Sequence, residues 1–319
     1  MQLHRRAVLL SSLAAVLARP ARASGATLKV VATTGMIADA VRQIGGDQVA
    51  LRGLMGPGID PHAYRQTRTD IAAMVAADLV LWHGLYLEAQ MEDFLLDLAS
   101  RTQVTAVAET LPREALRAHE SYAERFDPHV WMDPELWAQV VAAIRDLLIA
   151  ARPEHEAIFR ARAETHLTDL ARLAAYARAT LATVPPEARV LLTAHDAFGY
   201  FGRAYGFEVI GIQGISTESE AGLNRIGTLV EEIVSRRIAA VFVESSVSDR
   251  NIRALIEGAA ARGHQVEIGG ELYSDAMGPP GSYEGTYLGM IDHNVTTIAA
   301  ALGGQVPVRG MDGKLQGGA

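Results

Sequence analysis

Four stretches of this 319-residue sequence carry side chains that can bind a metal ion: GIDPHAY (58–64), FDPHVWMDP (126–134), LLTAHDAFGY (191–200) and GGELYSDAMG (269–278). They contribute His62, His129, His195 and Asp275. Three imidazoles and one carboxylate make an N₃O donor set that suits Zn²⁺ and, with the carboxylate bidentate, Mn²⁺ or Fe²⁺. The chain has ten histidines and no cysteine. Thiolate metal sites, iron–sulfur clusters, disulfides and a cysteine nucleophile are therefore excluded, and any metal must be held by His, Asp, Glu or backbone oxygen. Pro61 and Pro128 each precede one of the histidines, and a proline fixes one backbone torsion on the approach to the ligand.

These side chains need elements to carry them. TLKVVAT (27–33), VALRGL (49–54), DLVLWH (78–83) and QVTAV (103–107) read as strands, separated by helical patterns at 36–45, 69–77 and 85–100. That alternation predicts a parallel sheet with helices on both faces. Residues 108–130 are polar and irregular. A helix over 134–151 follows, with Asp133 as its cap and Pro134 in its first turn. From Pro153 to Val184 there is no glycine and no internal proline, and Ile158, Leu167, Leu170, Leu173 and Leu181 recur near helical spacing. A helix over that whole stretch would be about 48 Å long, wider than one small domain. A fresh rhythm then begins, with strands at 188–195, 207–213, 239–245 and 264–269, helices at 222–237, 249–262 and 284–302, and a loose tail from 310. The expected fold is α/β in two lobes, each a parallel-sheet α/β sandwich, joined by one long rigid linker helix. The expected boundaries are 24–152, 153–184 for the linker, and 185–319.

In open parallel sheets ligands gather beyond the carboxyl ends of the strands. His62 follows the strand at 49–54, His195 closes the strand at 188–195, and Asp275 lies just past the strand at 264–269. His129 stands in the irregular stretch before a helix. Placement in both halves, more than any single histidine, marks the four as a set. Asp60 stands beside His62 as a substitute or support, and His83 also follows a strand. His119, His155, His166 and His264 read as solvated, and His293 as packing or as a support behind the ligands. Glu244, Asp196 and Asp133 are placed to fix imidazole tautomers.

Residues 1–23 read as an export signal, with Arg5 and Arg6, an apolar run from Ala7 to Ala18, and a small-residue exit at Ala21-Arg22-Ala23. The run is too short to span a bilayer. Paired arginines suggest a twin-arginine route, with an ordinary secretory signal as the alternative. No cysteine follows the run, so no lipid anchor is expected. The exported form is expected to be a soluble, monomeric periplasmic protein. Cleavage removes four arginines and no acid, taking the net charge from −8 to −12. That acidity argues against a nucleic-acid partner.

GIDPHAY with Tyr64, DPHVWMDP, TAHDAFGYF, GISTESEAG (214–222), VFVESS and GGELYSDAMG together resemble the periplasmic zinc/manganese solute-binding proteins of ABC importers, the TroA-like cluster with a single helix between its lobes. The resemblance covers about residues 27–303. It implies His62 and His129 as ligands from the first lobe, His195 and Asp275 from the second, and the helix at 153–184 as the linker. It implies Zn²⁺ or Mn²⁺ as transported ligand, with Fe²⁺ possible, and a membrane permease with its cytoplasmic ATPase as partners. Two departures stand out. Residues 108–128 hold only His119, with Glu120 and Glu124, where many zinc-specific members carry a long metal-gathering loop. His195 stands where manganese-selective members often have Glu, which leans toward zinc or dual zinc/manganese use.

On this reading the protein binds and delivers, and is not an enzyme. One rival is a zinc hydrolase, which would keep an open metal position for water and show turnover. Another is a binding protein for a chelated ligand of the siderophore or cobalamin type, which needs a wide cleft lined by aromatics and arginines, whereas this chain is 6% aromatic. Cell adhesion, associated with some relatives, finds no support in the sequence.

Overall fold

The computed structural model of the chain describes residues 27–316 apart from Glu120, Ser121 and Ala123, and the expected export signal at 1–23 lies outside the described residues. In the first lobe β1 (Leu28–Ala32), β2 (Val49–Gly53), β3 (Leu79–Trp82) and β4 (Gln103–Ala106) form one sheet in the order β2-β1-β3-β4, with every pair parallel. The central strand β3 is buried at every residue, as expected where helices cover both faces of a parallel sheet. Helix α1 (Gly35–Gly45) is capped by Thr34 and buries Met36, Ile37, Val41 and Ile44. Helix α2 (Arg68–Val75) starts at a reciprocal Thr67–Asp70 capping box. Helix α4 (Pro134–Ala151) starts as its sequence predicts, with Asp133 accepting the Glu135 N–H and Pro134 in the first turn.

The second lobe contains two parallel pairs, β5 (Val190–Thr193) with β6 (Glu208–Gly211) and β7 (Ala240–Glu244) with β8 (Glu267–Leu272), and β5 lies beside β7. Helices α7 (Leu223–Arg236) and α8 (Arg250–Ala260) pack together, and Ile252 and Leu255 of α8 join Leu192, Ile210 and Val241 in one cluster. Helix α9 (Tyr287–Ala301) is capped by Thr286. Its first amide also donates to Asp39 on α1 at 3.0 Å, so one buried carboxylate ties the two lobes together.

Helix α5 (Glu156–Leu181) lies between the lobes. It is shorter than the stretch 153–184 suggested, because Pro153–His155 form a separate tight turn. Phe159, Ala163, His166, Leu170, Leu173, Ala177 and Leu181 recur at intervals of three and four and are buried. Helix α5 packs against α4, α1 and α9.

Several local expectations are corrected. His166, expected to be solvated, is 4% exposed within the α5 stripe. The helix expected at 85–100 is confined to α3 (Glu92–Leu98), after a turn in which Gly84, Leu85 and Tyr86 all have positive φ. A short helix, α6 (Gly199–Tyr205), was not anticipated. Strand β8 begins three residues later than expected and carries a register shift opposite Val241 and Phe242. The C-terminal stretch is not loose through residue 316. Met311 donates its N–H to the buried Asp292 carboxylate at 3.0 Å, Gln316 donates to Glu284 at 2.8 Å, and Leu315 is 4% exposed.

Candidate metal centre

Three strand ends and the loop before α4 converge on a single point between the lobes. His62 lies on the loop after β2, and Asp60 Oδ1 accepts its backbone N–H at 2.8 Å. His129 lies on the loop before α4, where Asp127 Oδ1 accepts both its ring Nδ1–H at 2.7 Å and its backbone N–H at 3.0 Å. His195 follows β5, and Glu244 at the end of β7 accepts its ring Nδ1–H at 2.5 Å and its backbone N–H at 2.9 Å. Asp275 follows β8. The carbonyl of its neighbour Ser274 accepts the indole N–H of Trp131 at 2.8 Å.

His62, His129, His195 and Asp275 are all buried, and each offers a ligand atom within 4.8 Å of the others. His62 Nε2 is 3.3 Å from His129 Nε2, which is 3.4 Å from Asp275 Oδ1, and His195 Nε2 is 3.2 Å from Asp275 Oδ2. The carboxylates on Nδ1 of His129 and His195 leave each Nε2 lone pair facing this point. His195 Nε2 and both oxygens of Asp275 are buried without a hydrogen-bond partner among the described residues. Leaving such groups unpaired is costly, and one divalent cation would satisfy them together. The donor set and these orphaned atoms both fit a metal ion.

The charges agree with that chemistry. Burial opposes a charge on His129, but Asp127 and Asp275 outweigh it and push its pKa up to about 9. Burial likewise opposes a charge on His195, and Glu244 and Asp275 raise it well above the ordinary imidazole range. Burial would raise Asp275, yet the two histidines hold it well below the usual carboxylate range. His62 differs, because burial dominates and lowers it to about 3. The carboxylates beside His129 and His195 favour positive charge here, which protons on the two rings can supply. A cation would take their place.

All four residues marked in the sequence meet here. Of the carboxylates proposed as imidazole partners, Glu244 holds His195, while Asp133 caps α4. Asp127, the partner of His129, was overlooked. It lies two residues earlier in the same FDPHV run, so the signal was local. Asp60 supports His62 through its backbone, and its other oxygen accepts the Thr217 hydroxyl at 2.5 Å from the second lobe. His83 lies behind the site and donates Nε2–H to the Pro128 carbonyl at 2.7 Å. Of the remaining histidines, His264 bonds the Ile238 carbonyl at 2.7 Å and His293 the Glu271 carbonyl at 2.8 Å.

Residues 30–301 match the profile of the family of the periplasmic zinc-uptake complex component A, ZnuA. The chain belongs to the ZnuA family. This family member is 48% identical over 275 residues to the manganese-binding lipoprotein MntA of Bacillus subtilis, covering 86% of this chain and 90% of that one. It is equally 48% identical over 285 residues to the zinc-binding protein TroA of Treponema pallidum, covering 89% and 91%. The solved structure of that periplasmic TroA superposes with a TM-score of 0.85 at 47% identity, over 87% of this chain and 99% of TroA. Fe(III)-bound YtgA from Chlamydia trachomatis superposes with a TM-score of 0.80 at 28% identity, over 88% and 99%. Within the ZnuA family, then, relatives at similar distance carry the names of different metals. No described helix is long and apolar enough to cross a membrane.

Proposed function

We propose that this ZnuA-family protein captures one divalent transition-metal ion, Zn²⁺ or Mn²⁺, in the cleft between its lobes and hands it to an ABC importer. His62, His129, His195 and Asp275 are the ligands. The lobes, 24–152 and 185–319, close on the ion, and the helix between them spaces them. The protein acts as an exported monomer in the periplasm, and its partners are a membrane permease and the cytoplasmic ATPase that drives it. It binds and releases without turnover, because four protein groups enclose the ion.

The observation that carries this reading is the convergence of three imidazole Nε2 atoms and one carboxylate within 4.8 Å, from both lobes and buried. The naming of MntA for manganese and TroA for zinc supports a transition metal as cargo. Nitrogen and oxygen ligands alone rank zinc above manganese at almost any site, so the metal carried in the cell follows availability as well as affinity. Fe²⁺ is the third candidate for the same reason.

The test is competitive titration of metal-stripped protein with Zn²⁺, Mn²⁺ and Fe²⁺, paired with melting curves. One ion should bind per chain, and the melting temperature should climb with metal concentration. A melting temperature that is flat across all three metals would overturn the proposal.

A further inference from the structure

His83 and Glu88 are fully buried, and neither belongs to the ligand set. Between them the chain makes an unusual turn. Gly84, Leu85 and Tyr86 have φ of 83°, 53° and 69°, three consecutive residues in the left-handed region. Only glycine enters that region without cost, so Leu85 and Tyr86 must be held there by their surroundings. The restraints are specific. Glu88 accepts the His83 N–H at 2.8 Å, the Gly84 N–H at 3.2 Å and the Thr33 hydroxyl at 2.6 Å. Glu109 accepts the Leu85 N–H at 3.2 Å, and the Arg125 guanidinium lies over the Tyr86 ring at 3.3 Å. A side chain at Gly84 would come within 2.7 Å of Ala106 Cβ.

What this turn delivers is the His83 ring. Its Nε2–H reaches the carbonyl of Pro128, the residue before His129. It lies T-shaped against Trp131, with ring centroids 4.9 Å apart and planes at 88°. Trp131 in turn packs against the His129 ring at 5.2 Å and donates its indole N–H to Ser274, the residue before Asp275. Two rings packed together, His83 and Trp131, thus reach the backbone beside His129 and beside Asp275, which come from different lobes.

We infer that His83, held by the left-handed turn at 84–86, is a positioning residue for metal binding, setting His129 through Pro128 and Asp275 through Trp131. The inference rests on the metal-binding function proposed above. A displaced ligand costs affinity even when the fold survives, because the ion needs all its donors at bonding distance together.

The test uses the exported form of the whole protein, stripped of metal. Zn²⁺ affinity is read by competition with a chromophoric chelator, and the geometry round the metal by the visible spectrum of bound Co²⁺. His83→Leu keeps the bulk and removes the donor. His83→Gln places an amide N–H where the ring Nε2–H stands. The leucine variant should bind Zn²⁺ about tenfold to a hundredfold more weakly with altered Co²⁺ bands, and the glutamine variant should return to within about threefold of wild type. Wild-type affinity and spectrum in the leucine variant would overturn the inference, as would a glutamine variant impaired as badly as the leucine one. If His83→Leu does not fold, Trp131→Phe keeps a ring between His83 and His129 and deletes the bond to Ser274, along with part of the indole's packing. It should also weaken Zn²⁺ binding and alter the Co²⁺ bands, and unchanged values would overturn the inference. A wild-type protein that binds neither metal would overturn the proposed function itself, whereas a binding wild type with indifferent variants overturns this inference alone.

Discussion

Asp127 and His129 are two residues apart on one turn, and a single oxygen of Asp127 holds both the ring and the backbone of His129, at 2.7 and 3.0 Å. The pairing fixes the tautomer and makes Nε2 a stronger donor to a cation. Asp127→Asn keeps the shape and removes the charge. Zn²⁺ affinity should fall about tenfold to a hundredfold, measured by chelator competition. An asparagine variant with wild-type affinity would mean that Asp127 is only a loop staple.

Removal of different proposed ligands should have different effects on the metal-free protein. His195 is bonded to Glu244 through both ring and backbone, whereas Asp60 holds His62 through its backbone only. His195→Ala leaves a buried carboxylate without its imidazole, at a cost of about 3 kcal/mol in the metal-free state. His62→Ala leaves no such charge and should cost about 1 kcal/mol or less. Both variants should lose tight metal binding. Denaturant unfolding of the two stripped variants reads the difference, and equal destabilisation would contradict the distinction.

The pattern of the first-lobe strands was legible because the central strands of a covered parallel sheet are apolar without interruption, as Leu79–Trp82 shows. Three of the four proposed ligands were legible because His62, His195 and Asp275 each follow a strand, where such sheets place ligands, whereas His129 lies on the irregular loop before α4 and was marked by its DPH run. His166 was misread although its spacing was informative. It falls between Ala163 and Leu170 in a stripe at intervals of three and four, and that position outweighs the polarity of its ring. The turn at 84–86 was not legible. Leu85 and Tyr86 suit a helix, and the groups that hold these two residues out of one, Glu109 and Arg125, are distant in sequence. The docking of the C-terminal stretch on Asp292 was hidden for the same reason, since a polar, glycine-rich tail gives no local signal of its partner.

The loop at 214–222 reaches across the cleft at two adjacent residues. Thr217 donates to Asp60 at 2.5 Å, and Gln90 donates to Glu218. Asp60 also holds the His62 backbone, so the first contact couples the far lobe to a proposed ligand. Thr217→Val is nearly isosteric and deletes that contact. One hydrogen bond contributes about 1 kcal/mol net, so metal should leave the variant about fivefold faster in stopped-flow chelation. The melting temperature of the stripped protein should change little. Equal dissociation rates would show that the contact does not hold the lobes closed on the metal.

Proton release gives the clearest pH signature. His129 is pushed from the ordinary 6.5 up to about 9, and His195 is raised in the same direction. A metal bound at Nε2 requires that nitrogen to be bare, so at neutral pH the ion must displace protons. Affinity should therefore climb with pH from the ordinary histidine value up to about 9, a higher window than unperturbed histidines would give. The stability of the metal-free protein should run the other way. A histidine whose pKa is raised on folding contributes stability that is fully present below its unfolded value and is lost as pH rises through the folded one. The stripped protein should melt lower at pH 9 than at pH 6.5, while the metal-bound protein should keep its melting temperature across that range. Calorimetric titration with Zn²⁺ in buffers of different ionisation enthalpy counts the protons released directly. Zero release at pH 7 would mean that His129 and His195 are already neutral before the metal arrives, and the carboxylates beside them would then act by orienting the rings alone.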